Sequence, residues 1–99
     1  MQRNEILRLA RLKWELIVEN GGLNPIFPKE ITKLKDNCSF CETYMKLGHI
    51  NCVDCPLHDD YNKRDHCCLL YDNWLYNPNT ETAQAMLDKI NSLKEEDLK

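Results

Sequence analysis

Cys38-Ser39-Phe40-Cys41 and Cys52-Val53-Asp54-Cys55-Pro56, with Cys67-Cys68 beyond them, decide how this chain is read. Two C-x₂-C pairs ten residues apart bring four sulfurs together, and that spacing is a strong metal-site signal. Zinc takes four thiolate or imidazole ligands at the corners of a tetrahedron, and each C-x₂-C turn supplies one edge of it. Cys38, Cys41, Cys52 and Cys55 form the simplest ligand set. Cys67, Cys68, His49 and His58 are the substitutes for any one of them, although each histidine is more naturally an exposed polar residue. An iron–sulfur cluster also needs four thiolates, but ferredoxin cysteine runs are denser than this one. The expectation is therefore zinc.

The fold expected around that site is mainly α: a small helical domain stapled by a Cys-type zinc site, with irregular knuckle loops and little or no β. Ninety-nine residues make one domain, 1–99, which would bury roughly 60–65% of its extended-chain surface. Aromatics are few and the mean hydropathy is −0.60, so the core is modest. In so small a domain a structural metal matters, because zinc-finger sites contribute on the order of 10–16 kcal/mol that is also folding energy.

Helices flank the metal region, which spans 36–68. From about 4 to 20 the residues Ile6, Leu9, Ala10, Leu12, Leu16 and Ile17 recur at helical spacing, and Leu7, Trp14 and Val18 widen the stripe. Gly21-Gly22 is a stop, because glycine takes the left-handed cap conformation at little cost. Arg3, Arg8, Arg11 and Lys13 belong to the polar face, opposed by Glu5, Glu15 and Glu19. Pro28 suits a first helical position and leads a short helix with Ile31 and Leu34 inward. A third short helix is expected from Ser39 to Leu47, its dipole favouring thiolate at the first cysteine pair.

Beyond the cysteines, Leu69 to Tyr76 reads as an aromatic-rich helix, with a strand as the alternative. A last helix over about 80–94 is capped by Asn79 or Thr80 and carries a clean stripe of Ala83, Met86, Leu87, Ile90 and Leu93. Residues 94–99 are expected to fray.

Composition also excludes. A net charge of −3 and a pI near 5.5 argue against a bulk polyelectrolyte partner. The start is charged and amphipathic, with no apolar h-region, and no run is long enough to span a membrane. Six cysteines without an export signal favour thiolate–metal chemistry in a reducing cytoplasm. Catalytic patterns are missing: no glycine-rich phosphate loop, no H-E-x-x-H, and no zinc-deaminase H-x-E with P-C-x-x-C. No enzyme is expected.

The segment Trp14-Glu15-Leu16-Ile17-Val18-Glu19-Asn20-Gly21, the run from Cys38 to Cys55-Pro56-Leu57, Cys67-Cys68 and the Tyr71-x₂-Trp74 pair resemble a family of small cysteine-rich proteins encoded by bacteriophages. The likeness covers most of the chain. It implies a phage origin, a host cytoplasm and a metal site, and it implies little chemistry. The paired Cys67 and Cys68 depart from the family's single cysteine at that place.

Two function classes remain. One is an accessory protein that binds and inhibits or redirects a host macromolecule, for example a defence effector, through Tyr71, Trp74 and Tyr76 with Arg8 and Arg11. Aromatic side chains are the usual anchors of protein interfaces; against this, Trp14 and Trp74 are also natural core residues. The alternative is a nucleic-acid-binding zinc module using Arg8, Arg11, Lys29, Lys33, Lys35 and Lys46. Residues 1–50 carry +8 and −6 while 51–99 carry +5 and −10, which permits a basic face without demanding one.

Overall fold

The computed structural model describes residues 2–34, 38–44 and 69–98. Over these residues the chain is helical: α1 (Arg3–Glu19), α2 (Lys29–Thr32), α3 (Ser39–Tyr44), α4 (Leu69–Tyr76), α5 (Thr80–Ser92) and a closing 3₁₀ turn (Glu95–Asp97). No strand occurs among the described residues.

The first helix is the spine because its apolar stripe is wide enough to serve two cores. Ile6, Leu7, Ala10, Trp14 and Ile17 join Phe40 of α3, Trp74 of α4 and Ala83, Met86, Leu87 and Ile90 of α5 in the main core. Leu9 faces the other way, onto Ile31 and Leu34, with Leu12 and Phe27 packed at the edge. Burying each large side chain contributes about 1.5–3 kcal/mol, so these two clusters hold the described helices together.

Local chemistry sets the ends of the helices. Asn20 is the cap residue of α1 and Gly21 follows it at φ +71. The Gly22 N–H then reaches back to the Ile17 carbonyl at 2.8 Å, and that of Gly21 to Val18 at 3.1 Å. This is the paired bonding of a glycine C-terminal motif, which satisfies carbonyls the helix leaves open. At α5 the Asn79 side chain accepts from the Thr82 N–H at 2.9 Å, and the Asn79 N–H donates to Thr82 Oγ1 at 3.2 Å. Of the two caps considered, Asn79 is the one used. Pro28 sits at the N-cap of α2, one place before the helical position its ring geometry suggested.

Two expectations need correction. Residues 94–98 do not fray: the 3₁₀ turn is closed by the Lys94 N–H donating to Asp97 Oδ2 at 2.8 Å, and Leu98 is buried in the main core. Lys13 is not on a solvated face either. It is only 6% exposed, and its ammonium lies 5.3 Å from the centre of the Trp14 ring. A lysine can bury its four-carbon stem and still be stabilised by an aromatic face.

Candidate functional site

The first cysteine pair stands where α3 meets α1. The Cys38 carbonyl accepts the Glu42 N–H at 2.9 Å and so opens α3, and Cys41 belongs to its first turn. Cys38 is half-buried and packs against the main core. Ser39, fully buried, donates from Oγ to the Ile6 carbonyl at 2.6 Å, and Phe40 is buried beside it. The start of α3 is therefore held by a hydrogen bond on one residue and a core ring on the next. A thiolate on such a support loses little conformational freedom on binding a metal, and the helix N-terminus favours its charge.

Cys52, Cys55, Cys67, Cys68, His49 and His58 lie outside the described residues. Among the described residues no group of three or more His, Cys, Asp or Glu is gathered as for a metal ion. Met45–Gly48, the expected end of the third helix, also lies outside them.

The partner-binding candidates divide by burial. Trp74 is buried, with its ring 5.1 Å from that of Trp14 at an interplanar angle of 84°, an edge-to-face pair. Trp14 is buried as well, so both indoles are core residues, the alternative weighed for them from sequence. Tyr71 is half-buried and completes the cluster, 6.4 Å from Trp14 and 5.9 Å from Trp74. Tyr76 projects at the end of α4 and is strongly exposed.

Two of the basic candidates, Arg8 and Arg11, are engaged with the protein itself. Arg8 pairs with Glu5 one turn before it and reaches Glu30 of α2 at 3.3 Å. The Glu5 hydrogen bond raises the already high pKa of the guanidinium, with the Glu30 bond acting in the same direction. Arg11 is half-buried and makes a long, 3.4 Å contact to the Leu93 carbonyl at the far end of α5. Lys29 and Lys33 are exposed, whereas Lys35 and Lys46 fall outside the described residues.

Sequence reasoning missed three exposed apolar residues, Leu23, Ile26 and Leu75. Leu23 and Ile26 lie in a stretch that reads as a connector, where an apolar residue has no periodicity to mark it. No family model, curated protein or solved structure matches the chain. No helix among the described residues is long and apolar enough to cross a membrane.

Proposed function

We propose that this chain is a non-enzymatic, zinc-stapled helical protein that works by binding another protein. In keeping with the cysteine-rich phage proteins it resembles, the partner is a host macromolecule, which it inhibits or redirects in the host cytoplasm, in the manner of an accessory or defence-related effector. Zinc is proposed from the paired C-x₂-C spacing, with Cys38, Cys41, Cys52 and Cys55 as ligands and Cys67, Cys68 or His58 as substitutes. The anchored start of α3 supports that choice, since two of the four candidates stand there.

One observation carries the binding reading. Helix α4 locks Trp74 into the core and presents the next two residues, Leu75 and Tyr76, to solvent. An apolar residue and an aromatic on a helix anchored by the buried, hydrogen-bonded Trp74 offer a preordered surface, and docking onto such a surface costs less entropy. The nucleic-acid alternative has less support: Arg8 is committed to Glu5 and Glu30, which leaves part of the basic face neutralised from within.

Affinity capture of the tagged protein from its host, with and without nuclease, tests the reading. A protein partner retained after nuclease supports it. A second arm compares Tyr76→Ala with charge reversal at Arg8, Arg11, Lys33 and Lys35. Normal binding by the tyrosine variant, together with loss on charge reversal that deepens with salt, would hand the function to the nucleic-acid alternative.

A further inference from the structure

Gly22 draws three parts of the chain to one end of the helical bundle. Its carbonyl accepts the Trp74 indole N–H at 2.6 Å, and its Cα faces the Asn79 backbone so closely that an added Cβ would stand 2.0 Å from the Asn79 carbonyl carbon. The end of α1, the end of α4 and the start of α5 therefore meet there.

The strongly exposed large apolar side chains among the described residues all belong to these segments. Leu23 (55% exposed) and Ile26 (100%) follow Gly22, while Leu75 (42%) and Tyr76 (80%) follow Trp74. A single exposed leucine means nothing. Four such residues, each within four positions of one three-way junction, bring exposed apolar area to that end of the bundle.

Charge says what kind. Residues 14–28 hold Glu15 and Glu19 but no lysine or arginine, and residues 69–88 hold Asp72, Glu81 and Asp88 but no lysine or arginine. Among the described residues, α1 and α5 run antiparallel and carry their exposed cations toward the other end. Gly22 meets Asn79 at one end, and Arg11 reaches Leu93 at the other. Arg3 and Arg8 near the start of α1 share that far end with Lys89 and Lys94.

We propose that this acidic-rimmed apolar end, formed by Leu23, Ile26, Leu75 and Tyr76 with Glu15, Glu19 and Glu81, docks a basic amphipathic segment of the partner protein. The segment carries lysines or arginines beside one or two large apolar anchors. The assignment rests on the protein-binding reading above and names the partner's chemistry. The exposed carboxylates of Glu15, Glu19 and Glu81 disfavour nucleic acid as the occupant. A second copy docking by two-fold symmetry would set the same acidic rims against each other, and like charges facing across an interface cost affinity. A segment with complementary charge gains both the apolar contacts and electrostatic steering.

The test selects a displayed random-peptide library on the full-length protein. Two double variants serve for comparison, Ile26→Ser/Tyr76→Ser and Glu19→Lys/Glu81→Lys, each checked for folding by circular dichroism. All four positions are exposed, so both variants are expected to fold. Enriched peptides should be net positive with an aromatic or aliphatic anchor, and should bind each variant at least about tenfold more weakly. No enrichment, enrichment of neutral or acidic peptides, or equal binding to the variants overturns the assignment. Host capture separates the two levels. If the Ile26→Ser/Tyr76→Ser variant retains the nuclease-resistant partner as well as the parent does, this surface is wrong and the protein-binding reading stands. If the parent retains no protein, the reading itself fails.

Discussion

The indole N–H of Trp74 donates a 2.6 Å hydrogen bond to the carbonyl oxygen of Gly22, a residue 52 positions earlier. One bond thus ties the C-terminal stop of α1 to the buried ring of α4. It satisfies two buried polar groups at once: an indole nitrogen deep in an aromatic cluster and a carbonyl just beyond a helix end. The short distance between Gly22 and Asn79 adds the start of α5 to the same point.

Gly22→Ala should therefore cost more than Gly21→Ala. At Gly22 the new methyl meets the Asn79 backbone, and φ is +88; at Gly21 φ is +71 and the space is open. The expected losses are on the order of 2 kcal/mol or more for Gly22 and about 1 kcal/mol for Gly21. Urea denaturation of both variants measures the difference. Equal losses would mean that only backbone conformation matters and that the close approach is absent.

Trp74→Phe keeps an aromatic ring in the core and removes the donor. The Gly22 carbonyl is then left without its partner, which costs about 1–3 kcal/mol, with a further cost from the smaller ring. Thermal and denaturant unfolding report it, and an unchanged midpoint would dismiss the hydrogen bond as a contributor.

Leu98→Ala distinguishes a docked terminus from a frayed one. Leu98 is buried against the main core, so its truncation should cost about 2–4 kcal/mol. A frayed residue would show an effect within about 0.5 kcal/mol.

The proposed zinc site predicts one equivalent of zinc per chain on elemental analysis, and unfolding when a chelator removes it. Less than about half an equivalent, or a brown iron chromophore, would exclude it. Cys38→Ser, Cys41→Ser and Cys55→Ser should each unfold the domain, because removing a thiolate forfeits binding energy that is also folding energy. His66 stands outside the candidate ligand set, so His66→Ala should melt like the parent.

Much of the helical framework was legible from local pattern. Ala83, Met86, Leu87, Ile90 and Leu93, marked by their spacing, are all buried. The expected first helix, about 4–20, differs from Arg3–Glu19 by a single residue at each end. Asn79 and Gly21 were readable because a cap depends on bonds to residues two to five places away. The candidate metal site was legible only as a spacing of cysteines. A spacing names candidate ligands without giving the geometry in which they would meet.

Periodicity and capping act over one or two turns, so local pattern marked α1 and α5, the caps at Gly21 and Asn79, and the residues that seek a core. Only the tertiary structure decided that Lys13 is buried beside Trp14, that Leu98 docks, and that Trp74 is core while Tyr76 is surface. Local pattern marks an apolar or charged residue but does not say what faces it. Those outcomes come from packing between distant elements, as when Trp74 finds Gly22 across 52 residues while Leu23, Ile26, Leu75 and Tyr76 stay exposed.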